Sequence, residues 1–157
     1  MIEKIIAGGQ TGVDRAALDA ALSHGLQHGG WCPRGRMAED GRIPARYRLL
    51  ETDSKDYAAR TERNVLDSDG TLVLNSGTLD GGTQFTLELA KAHRKPWLII
   101  DLDAAFDTPA VIRWLDRNRI RVLNIAGPRE SKRPGIYARA RAALDRIIEA
   151  SGSSASG

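Results

Sequence analysis

The sequence has few of the features that mark secreted, membrane-spanning or metal-binding proteins. Its one cysteine, Cys32, excludes an internal disulfide framework. The longest apolar runs, at 72–74 and 97–100, are far too short to cross a bilayer. The N-terminal segment lacks the succession of charged, apolar and small residues that a signal peptide needs. We therefore expect a cytoplasmic protein with no membrane partner.

The sequence also has little that indicates nucleic-acid binding or metal binding. Aromatic residues make up 5% of the sequence and the formal net charge is only +3, and no nucleic-acid-binding motif is present. We therefore expect no nucleic-acid partner, because such binding needs a strong basic footprint. The three histidines, His24, His28 and His93, have no metal-ligand spacing with one another or with Cys32, so we predict no metal site.

Strand-like and helix-like patterns alternate along the 157 residues. Strands are predicted at 2–7, 27–32, 70–74, 97–101 and 121–126, and helices from Gly12 to Gly25 and at 57–66, 83–93, 108–118 and 136–150. This alternation predicts an α/β, doubly wound, Rossmann-like domain over residues 1–150. Its sheet is expected to be mainly parallel, with five or more strands and helices on both faces. The Ser/Gly/Ala tail at 151–157 is predicted to be disordered.

Two glycine-rich turns, at 8–12 and 81–83, each follow a strand and open a helix. In such a sheet, ligands bind at the carboxyl ends of the strands, where helix N-termini favour anions. Because the two strands are expected to be neighbours, the turns predict one phosphate-binding pocket. Its predicted ligand-binding residues are Gly8, Gly9, Gln10, Thr11, Gly12, Asp14, Arg34, Arg36, Asn75, Ser76, Gly77, Thr78, Gly81, Gly82 and Thr83.

The spacing of the glycines excludes two common nucleotide sites. The first turn is not a G-x-G-x-x-G dinucleotide motif, and neither turn ends in the Lys-Ser/Thr of a P-loop. Glycine is also needed for steric reasons in tight strand-to-helix turns, so two purely structural turns are the alternative to a pocket.

Arginines crowd two stretches, at 34–48 and 129–141. Arg34 and Arg36 follow the second strand and are either a phosphate clamp or part of a solvated loop. Asp14 either complements the dipole of the first helix or contacts a ligand hydroxyl or a hydrated metal. Cys32 is expected to be a buried thiol, and Trp31 is near enough to the predicted pocket to stack on a flat ring.

Three segments carry a resemblance to a known family: IAGGQTGVDRAALD at 6–19, GWCPRGRMAEDG at 30–41 and GGTQFTLE at 81–88. They resemble the molybdenum cofactor carrier proteins, which are related to the lysine-decarboxylase-like phosphoribohydrolases. The resemblance implies a Rossmann-like, cytoplasmic homo-oligomer, a dimer or tetramer. It also implies that the pocket holds the molybdenum cofactor (molybdopterin) or, failing that, a nucleotide or another phosphate-bearing small molecule. With such a cofactor, the alternative to a buried thiol is that Cys32 is a soft ligand for molybdenum.

The related hydrolases carry a P-G-G-x-G-T-x-x-E motif whose glutamate serves catalysis. Gly81, Gly82 and Glu88 keep part of that spacing, but Asp80 replaces the proline and Gln84-Phe85 replaces the Gly-Thr. The broken motif leaves Glu88 as a weak candidate for an acid/base and favours a carrier over an enzyme. A nucleoside monophosphate phosphoribohydrolase and a nucleotide sensor are the alternatives.

Overall fold

Nine strands and five helices follow one another in the computed structural model, which describes residues 1–155 and their side chains through residue 152. The strands are β1 (Lys4–Ile6), β2 (Gln27–Gly29), β3 (Trp31–Cys32), β4 (Met37–Ala38), β5 (Gly41–Arg42), β6 (Leu50–Glu51), β7 (Gly70–Asn75), β8 (Trp97–Asp101) and β9 (Val122–Ala126). The helices are α1 (Val13–Ser23), α2 (Tyr57–Leu66), α3 (Gly81–Ala92), α4 (Thr108–Arg117) and α5 (Ile136–Ala155).

Five of the strands form one parallel sheet in the order β2-β1-β9-β7-β8. Right-handed crossovers then require α1 and α4 to lie on one face of the sheet and α2 and α3 on the other, whereas α5 follows the last strand and has no crossover. The observed packing agrees, because α5 contacts both α1 and α4 while α2 contacts α3. The predicted α/β, doubly wound fold with helices on both faces is confirmed.

The alanines of α1 allow this helix to pack closely in the core. Ala16, Ala17, Ala20 and Ala21 are all fully buried, and α1 packs against α5 and the sheet. β7 is buried along its whole length, as expected of a strand that is covered by helices on both faces. The small side chains on α1 thus leave room for close helix packing beside a sheet of larger apolar residues.

The strand order corrects one expectation. β1 and β7, which carry the two glycine-rich turns, are not neighbours, because β9 lies between them and pairs with both. If β9 is counted first, the order becomes 3-2-1-4-5, the start of the doubly wound dinucleotide-binding order. The chain is therefore a circular permutation of that order, and its switch point lies between β9 and β7.

The segment between β2 and α2 is more ordered than the sequence indicates. The predicted second strand breaks at Gly30, whose φ is 124° and whose missing side chain leaves room for the backbone of Ala7. β3 then leaves the main sheet and pairs with β6. β4 and β5 form an antiparallel hairpin between the predicted second strand and second helix, where the sequence predicted no strand.

Two of the helix boundaries that differ from the prediction change the interpretation of the second turn and of the tail. α3 begins at Gly81, so both glycines of the second turn belong to its first turn. α5 continues to Ala155, past the predicted end at 150 and into the segment that was predicted to be a disordered tail. Residues 156 and 157 lie outside the described part of the chain. No helix within residues 1–155 has both the length and the apolar character needed to cross a membrane.

Candidate functional site

The loops that follow β1, β9 and β7 meet at the carboxyl edge of the sheet. A cavity of about 200 Å³ lies between the loops after β1 and β9 and the first turns of α2 and α3. It is lined by Gln10, Asp14, Tyr57, Ala58, Arg60, Thr61, Gly82, Thr83, Phe85, Thr86, Ala126, Gly127, Pro128, Arg129 and Lys132. The structure thus brings residues of both glycine-rich turns to one cavity and adds α2 and the loop after β9. A larger depression, of about 470 Å³, lies at the opposite edge near Met1 and His24, where no helix of residues 1–155 begins.

The N-terminus of α3 offers unpaired backbone donors to this cavity. The amides of Gly81, Gly82 and Thr83 make no hydrogen bond to another group of residues 1–155, and the side chain of Asp80 does not cap the helix. Asp80 instead pairs with Lys132, at 2.5 Å. A Cβ atom at Gly82 would meet nothing within 4 Å, so this turn faces open space. Free amides at the positive end of a helix dipole favour an anion.

Arg60 contributes a guanidinium group that the sequence did not indicate. Its Nη1 donates to Asp14 Oδ2 at 3.3 Å, and its side chain is only 15% exposed. Arg60 Nε is buried and makes no hydrogen bond to the described residues. The guanidinium lies over Gly8, where any Cβ atom would collide with it. Gly8 thus makes room for a cation rather than for a phosphate.

Asp14 is the acidic residue in the cavity lining and is 4% exposed. It accepts hydrogen bonds from Arg60 and, at 3.1 Å, from the amide of Gln10. Burial raises the pKa of Asp14 and outweighs the opposing effects of Arg60 and of the Gln10 amide. The lining contains the three cations Arg60, Arg129 and Lys132 and one acidic side chain, while the carboxylates of Glu39 and Asp80, which pair with Arg129 and Lys132, lie outside the lining.

The protein itself satisfies some of the backbone donors at the first glycine-rich turn. The amide of Gln10 donates to Asp14, the amide of Thr11 to Gln10 Oε1 at 3.0 Å, and the amide of Val13 to Pro128 O at 3.2 Å. The amides of Gly8, Gly9 and Gly12 make no hydrogen bond to another group of residues 1–155, so three of the five backbone donors of this turn stay free. Gly9 and Gly12 have positive φ angles and do not line the cavity, so their part in this turn is conformational.

Glu39, at the tip of the β4–β5 hairpin, joins the loops after β1 and β9. Its carboxylate accepts hydrogen bonds from Thr11 Oγ1 and from the amide of Ser131 at 3.1 Å, and it pairs with Arg129 Nε at 3.2 Å. The neighbouring Asp40 forms a bidentate pair with Arg15, with both distances 2.9 Å. We call these contacts of Glu39 and Asp40 the hairpin latch. Because Arg129 lines the cavity, the latch also holds one of the cavity cations.

The hairpin latch predicts a pH-dependent contribution to stability. Burial raises the pKa of Glu39. The hydrogen bonds from Ser131 and Thr11 and the charge of Arg129 lower this pKa by a larger amount, so the net shift is downward. A carboxyl with a lowered pKa stabilises the folded state above its unfolded pKa, and this stabilisation is lost as the pH falls through its folded pKa. Glu39→Gln should cost about 1 kcal/mol at pH 7, and the cost should shrink below about pH 4.

Urea unfolding at a series of pH values measures this difference. Glu88→Gln is the matched control, because it removes an exposed carboxylate on α3 that lies outside the latch. A cost for Glu39→Gln that stays constant as the pH falls would show that the charge of Glu39 does not hold the hairpin.

The permuted strand order agrees with comparison with known proteins. Residues 5–148 match the model of the circularly permutated YpsA SLOG family. The chain belongs to this family. A solved structure from Syntrophus aciditrophicus SB, named a "putative molybdenum carrier protein", is 48% identical and superimposes with a TM-score of 0.89. The match covers 94% of this chain and 95% of that one, whereas no curated protein matches. The resemblance found in the sequence is confirmed.

In this member of the SLOG family, the predicted arginine clamp does not reach the cavity. The guanidinium of Arg36 donates to the carbonyl oxygens of Pro44 and Tyr47, both at 2.9 Å, and more weakly to those of Ile43 and Leu49. Arg34 is exposed, and neither arginine lines the cavity. Arg36 instead organises the loop around it, because four carbonyl groups of that loop converge on one cation.

The predicted residues Asn75, Ser76, Gly77 and Thr78 also lie outside the cavity lining. Ser76 Oγ and the amide of Gly77 donate to Asp103, at 2.7 and 2.9 Å, and Asn75 Nδ2 donates to Gly77 O at 3.0 Å. The carbonyl of Thr78 accepts a hydrogen bond from Arg133. The loop after β7 is thus occupied by contacts with the protein.

Three further candidates are also placed away from the cavity. Cys32 is fully buried in the core, and burial raises the pKa of its thiol. Trp31 donates from Nε1 to Asp67 at 2.7 Å and does not line the cavity. Glu88 is exposed on α3 and outside the lining.

Three cations of the cavity lining were not among the predicted site residues: Arg60, Arg129 and Lys132. Arg129 and Lys132 belong to the arginine-rich stretch at 129–141, which directly follows a predicted strand and the pair Gly127-Pro128. Basic residues directly after a strand are a signal for an anion site, but this signal pointed to the cavity only once the position of β9 in the sheet was known. Arg60 had no comparable signal, because a single arginine inside an amphipathic helix is ordinarily exposed.

Proposed function

We propose that this protein is a binding protein that holds a phosphate-bearing small ligand at the carboxyl edge of its sheet. One observation carries the proposal: the free amides at the start of α3 share a cavity with Arg60, Arg129 and Lys132. Backbone amides and cationic side chains are the usual partners of phosphate in proteins. Residues Gly82 and Thr83 supply the amides, and Arg60 and Lys132 supply the charge.

The molybdenum cofactor is the ligand that we propose, because the similar structure is named a molybdenum carrier protein. The cavity residues fit the phosphate end of such a ligand, and Gln10, Thr83 and Thr86 add polar side chains. Cys32 is buried outside the lining, so we do not propose it as a ligand of the metal. The cofactor would be cargo in this proposal, taken up and released unchanged.

A phosphoribohydrolase activity receives less support from the geometry. The acidic residue in the lining is Asp14, which is paired with Arg60, whereas Glu88 lies outside the lining. A nucleotide sensor would use the same cavity as a carrier, so a nucleotide is the second candidate for the ligand. We also propose that the protein is cytoplasmic and forms a homo-oligomer, either a dimer or a tetramer.

Calorimetric titration tests the phosphate pocket, with ribose 5-phosphate, AMP and adenosine as probes. Both phosphate compounds are expected to bind, and adenosine is expected to bind far more weakly, because it lacks the anion that the cavity attracts. Rising salt should weaken the binding of both phosphate compounds by screening the cations. If neither phosphate compound binds, the proposed function is wrong. A native-state mass measurement on protein from its own host then gives the ligand mass and the number of subunits.

A further inference from the structure

The exposed tyrosine and phenylalanine side chains are confined to one place on the molecule. The sequence has three tyrosines and two phenylalanines. Tyr47 is buried, and Tyr137 and Phe106 pack against the core. Tyr57 and Phe85 are 45% and 36% exposed, and both line the cavity. Every tyrosine or phenylalanine that the core does not use therefore lies at the candidate site.

These two rings come from two helices that begin at the same edge of the sheet. Tyr57 is the first residue of α2, and Phe85 lies in the second turn of α3. Tyr57 is held by its surroundings, because Gln10 Nε2 donates to its hydroxyl at 3.5 Å and the guanidinium of Arg60 lies 5.4 Å from the centre of its ring. The aromatic part of the cavity thus directly adjoins the cationic part.

Two chemically different kinds of group line the cavity. The free amides of Gly82 and Thr83, together with Arg60 and Lys132, suit a phosphate. Tyr57 and Phe85 add exposed apolar surface, which gains stability when a flat ring covers it. A sugar phosphate without an aromatic ring would use only the amides and cations and would leave the two aromatic side chains in water.

We infer that the ligand is a phosphate joined to a planar heteroaromatic ring, and that Tyr57 and Phe85 hold the ring. This inference rests on the proposed function, because the phosphate end orients the ligand. Stacking of a ring on an aromatic side chain tolerates many ring types, so the class includes both nucleotides and phosphorylated pterins. Tyr57 and Phe85 determine the preference for a ring, whereas the cations and amides determine the preference for phosphate.

Comparison of AMP with ribose 5-phosphate tests the inference, because the two differ only by the ring. The wild-type protein should bind AMP at least about tenfold more tightly, which corresponds to about 1.4 kcal/mol. Phe85→Ala should weaken AMP binding about tenfold and leave ribose 5-phosphate binding unchanged. Tyr57→Ala should also weaken AMP binding, and Tyr57→Phe should restore it, because the ring is kept.

Trp97→Ala is the matched control, since Trp97 is a 39% exposed aromatic residue outside the cavity. This substitution should change neither affinity. The inference is overturned if the wild-type protein binds AMP no more tightly than ribose 5-phosphate, or if Phe85→Ala weakens both ligands equally. Neither of these results contradicts the proposed phosphate pocket. If neither compound binds, the proposed function fails and the inference fails with it.

Discussion

Arg60→Ala is expected to weaken phosphate binding about a hundredfold and to lower the free energy of unfolding by about 3 kcal/mol. The binding loss follows because Arg60 is the least exposed cation of the cavity lining, at 15%, and its Nε is buried without a partner among the described residues. The stability loss follows because Asp14, with a side chain that is only 6% exposed, loses the cation that neutralises it.

The stability loss should depend on pH in a defined direction. Burial already raises the pKa of Asp14, and removal of Arg60 takes away an influence that lowers it. A carboxyl with a raised folded pKa contributes its full stability below its unfolded pKa of about 4, and it loses that contribution as the pH rises through the folded pKa. The deficit of Arg60→Ala should therefore be largest at neutral pH and should shrink towards pH 4.

Two matched variants separate binding from stability. Arg63→Ala removes an arginine of the same helix whose guanidinium lies 4.3 Å from the Trp31 ring, outside the cavity, so phosphate binding should not change. The double variant Arg60→Ala, Asp14→Asn removes the unpaired charge and should regain part of the stability without regaining the binding. Calorimetry with ribose 5-phosphate and urea unfolding measure the two effects. If Arg60→Ala binds ribose 5-phosphate as tightly as the wild-type protein does, Arg60 is not part of the binding site.

Gly12→Ala is expected to lower the free energy of unfolding by about 3–5 kcal/mol, a large part of the stability of a small domain. Gly12 has φ 76° and ψ −127°, a conformation that other residues rarely adopt. A Cβ atom there would collide with the carbonyl oxygen of Pro128 and would lie 2.8 Å from the amide nitrogen of Glu130. Neither backbone group moves easily, because Pro128 O also accepts the amide of Val13.

Gly82→Ala is the control for this effect, because it changes a glycine of the other turn. Gly82 has an ordinary helical conformation, and no atom lies within 4 Å of the position that a Cβ atom would take there. Alanine should therefore leave the free energy of unfolding unchanged or raise it by about 0.5 kcal/mol. Thermal and urea unfolding measure both variants. If Gly12→Ala is as stable as the wild-type protein, the prediction is wrong, and the loops after β1 and β9 can move apart without lowering the free energy of unfolding.

Local patterns in the sequence determined much of the architecture. The predicted bounds of the second helix, 57–66, and of the fourth strand, 97–101, match α2 and β8. Apolar periodicity and turn residues report burial and chain reversal over a few residues, which is the information that these elements need. Parallel strands end at one edge, so the alternating pattern also placed both glycine-rich turns at the carboxyl edge of the sheet.

The order of the strands was decided by tertiary structure alone. The last strand, β9, pairs with β1 and with β7, and such long-range pairing leaves no trace in local periodicity. Its position brings Arg129 and Lys132 between the two turns, and the packing of α2 brings Arg60 over Gly8. Tertiary contacts also made the turns unequal, because Gly82 and Thr83 of the second turn line the cavity, whereas Gly8, Gly9 and Gly12 of the first turn do not.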